Sequence, residues 1–363
     1  MKKSLLALAV LGAYAGVASA QSSVTLYGTV DLNGRVVKNE GASKKWSMGR
    51  DGINSSQLGF RGIEDLGGGL KAGFLLLSSV GADSGDIGGG QSGTGSGKFW
   101  SRRATVSLFS NAGELRLGRD YTPTFWNNTI FDAFGTNGLG DSTHVLQLAT
   151  TTFVRADNAV QYFLPANIGG FYGQFMGATG EIGQTGQSSN NGRYLGGRVG
   201  FAAGPFDVAF AYGKQDNATL VSAALGPYGN DQDTWNIGGA YDFGFLKLLG
   251  YYDHDKRNNQ KEDRFHISTV IPLGQGEVHL GYSHSKLDNS LAAPLNFDNK
   301  IYQWAATYQY NLSKRTAMYG TYSQLNNGNH SAASIAGGTS AAPGTPTLGG
   351  NSKGAEFGIR HFF

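Results

Sequence analysis

Windows in which apolar residues alternate with polar or small ones recur along most of the chain, each bounded by residues that favour turns. Period-two alternation predicts strands with one apolar and one polar face. The windows fall at 23–35, 53–63, 69–80, 98–109, 113–119, 157–164, 170–179, 192–202, 205–214, 233–243, 245–255, 263–272, 276–286, 299–310, 315–325 and 353–363, sixteen predicted strands in all. Their connections alternate between two kinds. Short turns lie at Glu64-Asp65-Leu66-Gly67-Gly68, Ser110-Asn111-Ala112, Pro165 to Gly169, Ala203-Gly204, Phe243-Gly244, Leu273-Gly274-Gln275 and Asn311 to Lys314. Long polar loops come between them, at 36–52, 81–97, 120–156, 180–191, 215–232, 256–262, 287–298 and 326–352. A water-soluble sandwich has no reason to sort its loops by length, whereas an outer-membrane barrel has short periplasmic turns and long external loops. The pattern predicts an all-β fold: a 16-stranded antiparallel transmembrane β-barrel forming one domain over 21–363.

Aromatic residues agree with a membrane setting. Phe163, Phe171, Phe201, Phe206, Tyr241, Phe243, Phe245, Tyr308, Tyr310 and Tyr319 gather near the short turns, where an interfacial girdle belongs. Composition removes competing classes. The 363 residues include 57 Gly, which opposes a helical bundle because Gly costs about 1 kcal/mol relative to Ala in a helix interior. An aromatic content of 12% opposes a disordered chain. Lys plus Arg number 29 against 26 Asp plus Glu, without long basic runs, which disfavours nucleic acid as a partner. The lack of Cys excludes disulfides and thiol chemistry. At the start, Lys2 and Lys3 precede the apolar stretch Leu5 to Val17 and the small residues Ala18-Ser19-Ala20. These predict an export signal over 1–20, cleaved before Gln21.

Enzymatic readings find no support in the sequence. The seven His residues show no metal-ligand spacing, and His254 between Asp253 and Asp255 fits a solvated rim cluster better than a metal site. Ser283 and His284 are adjacent on a predicted strand and so point to opposite faces. The glycine triplets at 67–69 and 88–90 precede no helix that could make a phosphate cradle. Neither an enzyme nor a cofactor nor a metal is expected.

Particular motifs carry a resemblance. They are Ser23-Val24-Thr25-Leu26-Tyr27-Gly28 with Asp31, the run Leu58 to Ala72, Arg102-Arg103-Ala104, Leu117-Gly118-Arg119, Leu312-Ser313-Lys314-Arg315-Thr316, and Gly358 to Phe363. Through them the chain resembles the Gram-negative general porins, most closely the trimeric porins of Burkholderia, Bordetella and Neisseria relatives. The resemblance implies a homotrimer in outer-membrane lipid, loop 3 folded into each barrel, and passive diffusion of small hydrophilic solutes and ions. It also implies that Phe363 is a signal read by the barrel-assembly machinery. A solute-specific channel and a non-conducting structural or adhesive barrel stand as alternatives.

Strand phase assigns the lumen face. Outward Leu58 and Phe60 turn Gln57, Gly59 and Arg61 inward; outward Ala104, Val106 and Leu108 turn Arg103 inward. By the same reasoning Glu114, Arg116 and Arg198 face the lumen, since Arg or Lys on the lipid face at mid-membrane costs about 2–4 kcal/mol. Resemblance to related porins suggests a basic ladder matching Gln57, Arg103 and Arg155, opposite acids on loop 3, for which Asp132 and Asp141 are candidates. Gln57 departs from the usual Arg, and Leu75 and Leu77 stand where Gln and Glu are expected. Asp31, Lys71 and Tyr27 are further wall candidates. Bases outnumber acids in this set, which predicts a mild anion preference, weakened by salt. Carboxylates at the mouth, such as Asp83, Asp86 and Asp120, would push the opposite way.

Overall fold

A computed structural model describes residues 23–88, 98–150, 152–166, 168–180, 192–218, 230–289, 297–336 and 343–363; the expected export signal over 1–20 lies outside the described residues. The alternating windows form strands β1 (Ser23–Asn39), β2 (Lys45–Arg50), β3 (Gln57–Gly67), β4 (Leu70–Gly81), β5 (Asp86–Ile87), β6 (Arg103–Ser110), β7 (Gly113–Tyr121), β8 (Arg155–Phe163) and β9 (Phe171–Ala178). They continue with β10 (Tyr194–Ala203), β11 (Phe206–Ala218), β12 (Asn230–Asp242), β13 (Lys247–Arg257), β14 (Gln260–Leu273), β15 (Gly276–Asn289), β16 (Phe297–Asn311), β17 (Thr316–Asn327) and β18 (Ser352–Phe362). Neighbours pair antiparallel, and β18 pairs with β1 from Thr29 opposite Phe362 to Asn39 opposite Ser352, so the sheet closes on itself. Strands β2 and β3 both pair with β1 and stack end to end as one wall strand, while β5 pairs only with the upper end of β4. The wall is thus the expected 16-stranded barrel. Closure removes the unpaired edges that a membrane does not tolerate.

Side-chain burial follows strand phase. Val106, Leu108, Leu115, Leu117, Leu195 and Val199 are exposed on the outer wall, while Asp31, Asn33, Gln161, Gln174 and Asn236 are buried on the inner one. Several boundaries differ from expectation. Much of the predicted loop 36–52 belongs to β1 and β2, and the predicted loop 256–262 is a two-residue turn between β13 and β14. Asn258 takes φ 53° there, a left-handed conformation that Asn tolerates better than most residues. Polarity on both faces, Asp253 and Asp255 within and His254 and Lys256 without, hid the alternation. Residues 98–102 lie before β6 rather than within it. Two predicted girdle aromatics turn inward: Tyr319 is 1% exposed, and the Phe163 ring lies 4.1 Å from the Arg116 guanidinium. Their strand phase, not their closeness to a turn, decides the direction.

The apolar core lies inside the barrel rather than between sheets. Val37, Ile301 and Leu325 of the wall pack with Leu139 and Val145 of loop 3 and with Ile335 and Ala336, which follow β17. Phe131 of loop 3 packs with Ala209, Ala240, Leu249 and Tyr251 of the wall.

Candidate channel constriction

Loop 3 joins β7 to β8 and begins with helix α1 (Pro123–Ile130). Its start is encoded locally: the Thr122 side chain accepts from the Phe125 amide, and Pro123 fills the first turn, where its missing N–H is no loss. Asn127 and Asn128 reach from the helix to the wall, donating to Asn236 Oδ1 at 2.8 Å and Asp253 Oδ2 at 2.7 Å. Phe131 and Phe134 then seat over Gly238 and Gly281, where an added Cβ would run into each ring. The loop's amides find acceptors on the wall: Ala133 N donates to Ser268 Oγ at 3.0 Å, Leu139 N to Glu356 Oε1 at 3.3 Å, and Leu148 N to Glu262 Oε2 at 2.7 Å. Loop 3 therefore lines the inner surface of β11 to β18, with the inner faces of β3, β4 and β6 opposite.

Register arranges that opposite wall in rows. Tyr27, Gly59, Leu77 and Arg103 are successive partners across β1, β3, β4 and β6. The row nearer the short turns runs Thr25, Arg61, Leu75 and Thr105; the row beyond it contains Thr29, Gln57 and Ser79. Arg61 is exposed and lies 5.3 Å from the Tyr27 ring centre. Arg103 is 2.7 Å from Asp120, which also binds Arg116 at 2.6 Å; Glu114 holds Arg116 from the other side at 2.7 Å. Arg155 donates to the Tyr121 hydroxyl at 3.0 Å, and so does Arg102, again at 3.0 Å. Two guanidinium groups thus converge on one phenol oxygen. Arg198, on β10, donates to Tyr172 Oη at 3.1 Å and sits 4.6 Å over its ring. Lys71 is exposed beside the β3–β4 turn, opposite Asp65.

Inward acids behave differently from inward bases. Asp31 is 0% exposed and accepts from the Ile53 and Asn54 amides at 3.0 and 2.8 Å, and from the Tyr319 hydroxyl. Asp132 is buried against Phe134 N at 2.8 Å, Ser142 Oγ at 2.8 Å and His266 Nε2 at 3.2 Å. Asp141 caps the turn Ser142–Val145 by accepting from Thr143 N at 2.7 Å, and burial pushes its carboxyl above the ordinary Asp range. The loop-3 acids expected across from the ladder are turned into their own loop and its supporting wall. Sequence shows that Asp132 and Asp141 lie on loop 3, but not which neighbours satisfy them. Nothing in the sequence marks Arg102 and Tyr121 as constriction residues. Strict alternation sends Arg102 away from Arg103, and only the structure shows it to precede the strand. On the outer wall His254 is 2.7 Å from Asp263 and stacks on Trp235, while Asp253 and Asp255 face in toward Arg264. No group of three metal-ligating side chains occurs among the described residues. Among the described residues no helix is long and apolar enough to cross a membrane.

Comparison with known proteins agrees with this geometry. A family model described as Gram-negative porin matches residues 7–330. Outer membrane porin protein 32 of Delftia acidovorans is 37% identical over the whole of both chains. An outer membrane porin protein of Bordetella pertussis is 29% identical, covering 89% of this chain and 94% of that one. Among solved structures, an anion-selective porin from Comamonas acidovorans superimposes with a TM-score of 0.81 at 35% identity, covering 94% of this chain and 100% of that one. With a closed 16-strand wall, an inward loop 3 and this match over most of its length, the chain belongs to the Gram-negative porin family and is a porin of the outer membrane.

Proposed function

We propose that the protein is a passive channel for small hydrophilic solutes and ions with a mild preference for anions. One observation carries the sign. Asp31, Asp120, Asp132, Asp253, Glu262 and Glu356 are buried as hydrogen-bond acceptors or as ion-pair partners, whereas Arg61, Lys71, Arg102, Arg155 and Arg198 have no carboxylate within ion-pair distance among the described residues. A permeant at the constriction meets guanidinium groups held against Tyr27 and Tyr121, at 5.3 and 4.6 Å, before it meets a carboxylate. Low-dielectric walls focus that field. The anion selectivity stated for the Comamonas porin supports the same reading.

In this reading Arg61, Arg103, Arg155, Arg116, Arg198, Lys71 and Gln57 form the basic and polar wall, Asp31 braces that wall at residues 53 and 54, and Asp132 and Asp141 hold the loop that faces it. Three such barrels assemble as a homotrimer in outer-membrane lipid, residues 1–20 are removed on export, and 21–363 form a single domain. Phe363 serves the barrel-assembly machinery as a recognition signal. The channel performs no chemistry on what passes. Reversal potential across planar bilayers in a salt gradient tests the sign. Wild type is expected on the anion side, and Arg103→Ala with Arg155→Ala moves the potential toward cations at low salt. An unchanged potential in the double variant would remove these arginines from the constriction.

A further inference from the structure

The wall opposite β1 is interrupted in one place. Leu32 pairs with Arg50 and Thr29 pairs with Gln57, so residues 51–56 lie against only Val30 and Asp31. Six residues facing two is more than a bulge, which adds one. The excess chain is tied down. Asp51 has φ 63° and accepts from Ser56 N at 2.5 Å, closing the segment on itself. Asp31 takes the Ile53 and Asn54 amides from the other side. Both carboxylates are buried, at 2% and 0% exposure, so the interruption is a built and ordered element.

It meets the tip of loop 3 at two points. Ser55 Oγ donates to Asn137 Oδ1 at 2.7 Å. Gly138, with φ 62°, lies so close to the Gly52 carbonyl that a Cβ would overlap it. On its other side Gly52 rests on the Tyr319 hydroxyl, which leaves the backbone no room to retreat. We propose that residues 51–56 are a latch that fixes the tip of loop 3, so that this break in the wall sets the width and steadiness of the channel from outside the charged face. Gly52, Ser55 and Gly138 are positioning residues. The proposal rests on the reading of loop 3 as one side of the constriction, but it predicts conductance and not the sign of selectivity, so the two fail separately.

Paired substitutions on loop 3 test it. Gly138→Ala combines left-handed strain with a collision against the latch. Gly135→Ala carries the same strain at φ 57°, but its Cβ would meet nothing nearer than Asn137 Nδ2 at 3.5 Å. Single-channel recordings of refolded protein are expected to show a changed main conductance, by about a third or more, or frequent sublevels for Gly138→Ala. Gly135→Ala should stay near the wild-type level. If Gly138→Ala fails to fold, Ser55→Ala removes one latch bond without strain and is expected to raise the frequency of sublevels several-fold. Equal behaviour of the two glycine variants, or a Ser55→Ala record indistinguishable from wild type, overturns the latch.

Discussion

Asp120 shows at residue scale how one side chain tunes the channel. It is 0% exposed and lies between Arg103 and Arg116, whose side chains keep 16% and 15% exposure. The carboxylate cancels charge that would otherwise reach the lumen. Asp120→Asn should therefore make the channel more anion-selective, seen as a reversal potential moving further toward the anion limit. The same change leaves two guanidinium groups facing each other. Breaking a fully buried pair costs about 3–5 kcal/mol, and partial exposure of both arginines reduces this to roughly 1–3 kcal/mol. A lower midpoint of heat unfolding checks that half of the prediction. The sequence made the inward direction of Arg103 and Arg116 legible, because alternation is a backbone property. It left Asp120 as a possible mouth charge, because a bulge between Gly118 and Asp120 re-aims the strand end. Phase is readable where pairing is regular and is lost where it is not.

At the scale of the element, loop 3 is held by wall residues that sequence reading passes over. Gly238 and Gly281 look like ordinary strand glycines, yet they are the sockets for Phe131 and Phe134. Nothing local marks a socket; it exists only once the loop has folded across the lumen. The resemblance to porins supplied the course of loop 3, while the residues that secure it required three dimensions. Asp132 gives this docking a pH dependence. Burial pushes its carboxyl up, but His266, the Phe134 amide and Ser142 more than offset that, leaving it below the ordinary Asp range of about 3.9. A carboxylate with a lowered pKa contributes stability at neutral pH and loses it only as pH falls through that lowered value. The part of the anchoring that Asp132 supplies should accordingly persist through mildly acid conditions and be lost only as pH falls below the ordinary Asp range. Asp132→Asn should show the noisy conductance of a loosened loop already at pH 7, whereas a wild-type channel that loosens near pH 6 would assign the anchoring to another group.

For the whole molecule, the seam between β1 and β18 decides when a barrel exists at all. Gly28 and Phe363 exchange both backbone hydrogen bonds, each 3.1 Å long, and the Phe363 ring occupies the space a side chain at 28 would need. Gly28→Val is expected to slow closure, visible as a smaller fraction of heat-modifiable folded species on semi-native gels at a given refolding time. Sixteen strands could be counted from the sequence with boundaries off by a few residues, because each hairpin is a local object. The seam is not local. It joins the two wall strands farthest apart along the chain, and loop-closure entropy makes such a contact the slow one. Until it forms, the sheet has two bare edges, each a template for another strand. A copy arrested at that stage can satisfy β1 with the β18 of a neighbour instead of its own. Crowding during export therefore sets a race between closing and concatenation, in which the winning outcome depends on how many unfinished copies share the compartment.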